Sequence, residues 1–167
     1  MRKRAEDGVL MTHVGVPFGV TMEGNDGLYL SRFKPLRSSA RIATAVRADQ
    51  LYLLLANHTH NSQSHMQLAE VLLHYADGST QTVPLTSPHD INSTLQHYCD
   101  MAPVWIGGQD EGWFGHGDVS GVHADITDIQ VDPTRELTAF EPRCTARDTV
   151  IGLLAATAHT IPTPPSR

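Results

Sequence analysis

Ten of the 167 residues are histidines, and three of them, His58, His60 and His65, lie ahead of an acidic residue, Glu70. On an extended strand, residues i and i+2 point to the same face. His58 and His60 would therefore offer two imidazoles to one metal ion, with His65 and Glu70 completing the ligand set. That arrangement would make the chain a metal-dependent enzyme acting on a sugar or another small molecule. The alternative reading of the same stretch is a solvated connection between strands. Asn57, Asn61, Ser62, Gln63 and Ser64 surround the histidines, and such polar side chains suit a loop.

The spacing favours the loop. A cupin-like site places its carboxylate soon after the histidine pair, whereas Glu70 lies well downstream, and no later Gly-Pro-containing motif supplies a last histidine. The metal set His58, His60, His65 and Glu70 is thus the second choice. Asp77, Asp90, Asp118 and Asp125 could hold a structural Ca²⁺, but no spaced Asp-x-Asp-x-Asp loop is present. No other cofactor is expected. Cys144 has no evident histidine and base to activate it. For a domain of this size, Cys99 and Cys144 are read as free thiols rather than a disulfide.

A second constellation is richer. Trp105 is followed by Gly107-Gly108-Gln109-Asp110-Glu111-Gly112-Trp113-Phe114-Gly115. Adjacent carboxylates on one loop cannot attack a glycosidic bond from opposite sides of the ring, so no catalytic pair is assigned. Sugar binding asks for less, namely aromatic faces for C–H-rich sugar faces and amides or carboxylates for hydroxyls. Trp105, Gln109, Asp110, Trp113 and Phe114 supply both. The competing reading is that Trp113 and Phe114 plug one end of the fold. The Gly-Gly pair does not open a helix after a strand and is not a phosphate cradle.

The elements that would hold these residues read as strands. Gly, Pro, Asn and Asp recur at short intervals with apolar runs between them. Strands are expected around Val9 to Val20 (one or two), at Leu28 to Leu30, and at Arg41 to Val46 with Ile42, Thr44 and Val46 on one face. The run Leu51-Tyr52-Leu53-Leu54-Leu55 calls for a central strand covered on both sides. Leu68 to Tyr75 and Thr80 to Leu85 flank Asp77-Gly78, a hairpin signal resting on positive φ. Later strands are expected at Val119 to Ile126, Ile129 to Val131, Leu137 to Cys144 and Thr149 to Ala158, the last as a buried closing strand. The stretch 87–117 breaks the rhythm and reads as a long insertion. The shared core is expected to hold Leu53, Leu55, Val71, Leu73, Val83, Ile126, Val150 and Leu153.

Composition limits the partners. The formal net charge is −6 and the pI about 5.9, which gives no footprint for a phosphate backbone, so nucleic acid is not expected. No apolar stretch is long enough to cross a membrane. The basic start Met1-Arg2-Lys3-Arg4 lacks the apolar region of an export signal, so a soluble chain is expected. One domain spans 1–160, and 161–167 is a Pro-rich tail that cannot join a sheet interior.

In order along the chain stand Leu53-Leu54-Leu55-Ala56-Asn57-His58-Thr59, His74-Tyr75-Ala76-Asp77-Gly78-Ser79, Val83-Pro84-Leu85, Gln96-His97-Tyr98, Ala124-Asp125-Ile126 and Val150-Ile151-Gly152-Leu153. This order resembles an uncharacterised family of accessory domains in large bacterial proteins with a glycosidase-like region, and is similar in pattern to jelly-roll carbohydrate-binding domains. The resemblance covers roughly residues 50 to 158 and implies an all-β antiparallel sandwich or jelly roll of the galactose-binding-like kind. It also implies a non-catalytic module that binds polysaccharide or packs on a glycosidase-like domain. The family supplies no catalytic residues to carry over. Exposed sheet edges make a homodimer a further expectation.

Overall fold

A computed structural model of the chain describes residues 5–21, 23, 27–58, 65–93, 102–108 and 121–161; for 102–108 and 121–123 it describes the backbone alone. The described residues form eleven strands: β1 (Val9–Met11), β2 (Pro17–Gly19), β3 (Leu28–Ser31), β4 (Ile42–Val46), β5 (Ala48–Asn57), β6 (Met66–Tyr75), β7 (Thr80–Ser87), β8 (Ala102–Gly108), β9 (Gly121–Gln130), β10 (Leu137–Cys144) and β11 (Val150–Thr160). They make a β-sandwich. One layer is a four-stranded sheet in the order β4-β10-β6-β7, and the other a five-stranded sheet in the order β3-β11-β5-β9-β8. All strand pairs are antiparallel. Among the described residues no helix is long and apolar enough to cross a membrane.

The apolar run in β5 explains the layout. Leu51, Leu53 and Leu55 point between the sheets and meet Val71, Leu73, Leu85, Ile129, Leu137, Phe140 and Ile151. The intervening Leu54 and Ala56 point the other way. They join a second core with Leu10, Phe18, Val20, Ala124 and Ile126. A strand with apolar residues on both faces must be covered on both faces. The four-stranded sheet covers one side of β5, and the small β1–β2 hairpin covers the other. Leu53, Leu54, Leu55 and Ala56 are all essentially inaccessible.

The structure moves two residues of the expected core. Ile126 is buried, but beneath the β1–β2 hairpin rather than between the sheets. Its neighbour Asp125 stands opposite Leu55 in the β5–β9 register and so takes the face between the sheets. Val150 is only half-buried, and Ile151 takes its place in the shared core. Val83 packs against that core while remaining partly exposed. In β4, Ile42, Thr44 and Val46 are half-buried while Ala43 and Ala45 face solvent, as the alternation predicts. The two late strands expected at 119–126 and 129–131 are one continuous strand, β9. The stretch 87–117 is not devoid of strand, since it contains β8, which pairs with β9. Pro103, Gly107 and Gly108 lower the strand signal there, and an edge position tolerates them.

The β6–β7 hairpin forms at the expected place, and its turn uses the expected positive φ. Gly78 alone takes a left-handed backbone, with φ of 82°. Its N–H donates to Tyr75 O at 3.0 Å, and Tyr75 N–H donates to Ser79 O at 3.0 Å. This is a β-turn followed by a left-handed glycine. Asp77 contributes its carboxylate, which accepts from Ser79 N–H at 2.9 Å and also from the Ser79 hydroxyl. A Cβ added at Gly78 would meet nothing within 4 Å, so the cost of Gly78→Ala is conformational alone. A loss of about 1–2 kcal/mol is expected from the left-handed backbone, read as a lower urea midpoint with an unchanged m-value. An unshifted midpoint would show that the turn relaxes to another form.

Candidate functional site: the loop end of the sandwich

β5 ends at Asn57, β7 at Ser87 and β10 at Cys144, while β9 and β11 begin at Gly121 and Val150. Antiparallel order brings these ends to one pole of the sandwich. The Asp77 hairpin lies at the other pole.

The centre of the loop pole is a buried polar cluster. Asn57, Asn92, Ser93, Asp125 and Thr127 are all nearly inaccessible. Asp125 and Thr127 stand opposite Leu55 and Leu53, so both project between the sheets. Asn92 N–H donates to Asp125 Oδ2 at 2.8 Å. The Thr127 hydroxyl donates to Asp90 O at 2.6 Å, and Asn57 and Ser93 form a parallel bridge. Together these contacts dock residues 90–93 across the pole, with Ile91 inserted into the main core. Burial pushes the Asp125 carboxyl up to about 7, partly offset by the Asn92 N–H, which favours the charged form.

Beside the cluster stands an aromatic pair. The His58 and Tyr29 rings lie 5.3 Å apart with planes tilted by 48°. His58 N–H donates to Val150 O at 2.9 Å. Gly152 forms the floor, because a Cβ there would come within 3.3 Å of both His58 Nε2 and the Tyr29 ring. Partial desolvation lowers the pKa of His58. The imidazole and phenol rings stand side by side over Gly152, tilted against each other.

The metal set is not assembled among the described residues. His65 lies at the start of β6, with its N–H donating to Ser87 O at 2.5 Å. Glu70 is on the outer face of the four-stranded sheet, 3.8 Å from the Arg143 guanidinium, while His58 belongs to the other sheet. His60 lies outside the described residues. No group of three or more His, Cys, Asp or Glu is placed to hold a metal among the described residues. Of the carboxylates considered for Ca²⁺, Asp90 and Asp125 share the loop pole and Asp77 does not. Asp90 is engaged locally, accepting from Thr86 N–H and hydroxyl, both at 2.8 Å. Asp118 lies outside the described residues.

Of the carbohydrate set, Trp105 lies on β8 opposite His123 in the register. Gln109, Asp110, Trp113 and Phe114 lie outside the described residues, as does Cys99. Cys144 is a buried free thiol. Burial raises its pKa, which keeps it protonated and weakly nucleophilic.

The sequence reading did not find the buried cluster as a unit. A signal was present in β9, where Asp125 and Thr127 occupy the alternate positions that lead to Ile129. Polar residues in a core-facing register mark a buried polar network. Fold and site thus define an all-β antiparallel sandwich with a buried polar cluster at its loop pole. Compared with models of known families and with curated proteins, the chain matches none.

Proposed function

We propose that the chain is a non-catalytic, carbohydrate-binding accessory module of the kind that accompanies glycoside hydrolases, with its ligand site at the β8–β9 end of the loop pole. The observation that carries this reading is the pairing of Gly108 with Gly121. It brings the end of β8, the strand that carries Trp105, and the start of β9 together at the pole, and residues 109–120 join the two in sequence. The residues suited to sugar binding, Gln109, Asp110, Trp113 and Phe114, all belong to that connection. The fold supports the reading in a second way, since loops held by a stiff sandwich are well suited to recognition.

Screening on a glycan array followed by titration of tryptophan fluorescence tests the proposal. A polysaccharide fragment is expected to shift the emission with a Kd in the micromolar to millimolar range, about −8 to −4 kcal/mol. Trp113→Ala should weaken binding at least about tenfold, on the order of 1.4 kcal/mol. If no glycan shifts the emission, or Trp113→Ala binds as the wild type does, the site is wrong. The loop is then better read as packing on a neighbouring domain.

A further inference from the structure

Cations are unevenly distributed along this acidic chain. Between Gly27 and Ala48 there is no Asp or Glu, while Arg32, Lys34, Arg37, Arg41 and Arg47 supply five of the 12 Lys and Arg residues. Three of them sit in the loop that follows β3 at the loop pole. That loop is tightly held. Ser31 N–H donates to Arg37 O at 2.9 Å and Leu36 N–H to Phe33 O at 3.0 Å. Phe33 N–H donates to the Ser31 hydroxyl at 3.1 Å, and that buried hydroxyl donates to Thr149 O at 2.8 Å. The Arg32 guanidinium reaches Thr145 O at 3.2 Å, which ties the loop to the turn after β10.

The tip of this rigid loop is amphipathic. Phe33 is 50% exposed and Leu36 40%, an unusual display for side chains on a well-ordered turn. Lys34 and Arg37 flank them, and neither forms an ion pair among the described residues. The loop therefore combines an aromatic face, uncommitted cations and a fixed backbone. An aromatic face takes up apolar C–H surface, and Arg matches a carboxylate with two parallel hydrogen bonds. Preorganisation lowers the entropy lost on binding a stiff partner.

We propose that the Phe33–Arg37 loop is a subsite for carboxylate-bearing polysaccharide, in which Phe33 stacks on a sugar ring while Lys34 and Arg37 pair with its carboxylates. This inference rests on the reading of the chain as a glycan-binding module and specifies the chemistry of one class of ligand. A stiff chain of acidic sugars suits a fixed loop better than a fluid lipid surface does, because each bond that holds the loop restricts the adjustment a bilayer contact would use.

The test uses the full chain and three defined probes: polygalacturonate, its fully methyl-esterified form, and vesicles of phosphatidylcholine containing phosphatidylserine. Binding of polygalacturonate is expected, with a loss of at least about tenfold on methyl esterification. The double variant Lys34→Glu/Arg37→Glu should lose binding by a similar factor, and Phe33→Ala by about fivefold. These positions are exposed, so unchanged circular dichroism and urea midpoints will show that the variants fold. Equal binding of acid and ester overturns the proposal. So does binding that disappears with salt yet ignores Phe33→Ala, which marks a diffuse charge effect. Binding to the vesicles but not to polygalacturonate would make the loop a lipid contact and overturn it as well. If neutral glycans bind the wild type and the loop variants alike while polygalacturonate does not, this inference falls and the module reading stands. If no glycan binds, both fall.

Discussion

Asp125→Asn is expected to stabilise the protein at pH 8 by up to about 4 kcal/mol and to leave it nearly unchanged at pH 4. Burial pushes the Asp125 carboxyl up from the ordinary 3.8 to about 7. Each pKa unit corresponds to about 1.4 kcal/mol. Because the folded pKa is raised, the folded state holds a proton that the unfolded chain releases. Stability is therefore greatest below about pH 3.8, falls as pH rises towards 7, and is level above that. Asparagine carries no charge and keeps an oxygen to accept the Asn92 N–H, so it removes the penalty without orphaning that donor. Other groups give slopes of opposite sign. Asp77, Asp132 and Glu141 have lowered pKa values and act at the acid end. His58, also lowered, loses stability as pH falls below about 6.5. The comparison of wild type with Asp125→Asn cancels these contributions. Urea denaturation at pH 4, 6 and 8 gives the curve. A difference between the two proteins that is flat with pH would show that the carboxyl is already ionised in the fold.

Phe18→Ala should produce the other large effect, a loss of about 3–5 kcal/mol. The β1–β2 hairpin has only three paired positions, Val9 with Gly19, Leu10 with Phe18 and Met11 with Pro17. A ribbon this short has no independent stability. It is held by Leu10 and Phe18, which are buried against Leu54, Ala56, Ala124 and Ile126. Removing the ring leaves a cavity and weakens the only cover seen on that face of β5 among the described residues. The lower urea midpoint should be accompanied by rapid proteolysis within residues 9–20. A loss below about 1 kcal/mol with the hairpin still protected would mean that Leu10 alone secures it.

Much of this fold could be read from period and punctuation. The continuous apolar run at 51–55 predicts a strand covered twice, and the cover proves to be a sheet on one side and a hairpin on the other. The alternation at 42–46 and the Asp77-Gly78 signal placed β4 and the β6–β7 hairpin. The failures share a cause. Where a strand's register is set by partners distant in sequence, local pattern cannot say which face is which. Hence Ile126 was expected between the sheets, and Asp125, which occupies that face, was considered only as a Ca²⁺ ligand. β8 was missed because its glycines and proline imitate a loop, while its pairing with β9 is decided by tertiary contact. The buried cluster of Asn57, Asn92, Ser93 and Thr127 draws on three separate parts of the chain, and nothing in their spacing announces that they meet.

The strand order of the five-stranded sheet has a consequence for synthesis on the ribosome. β11, the last of the described strands in chain order, lies between β3 and β5, and the β1–β2 hairpin, the first of them, rests in part on it through Leu154 and Ala155. The Thr157 hydroxyl also donates to Pro17 O. On the ribosome the hairpin must therefore wait for β11 before its apolar side is covered. Until residue 160 has emerged, β5 has β9 on one side and an open edge on the other, with Leu54 and Ala56 bare. Such an edge invites pairing with another chain. Folding of this domain should accordingly be concerted once residue 160 has emerged rather than progressive, and slow for its size, because the contacts that close the sheet join segments far apart in sequence.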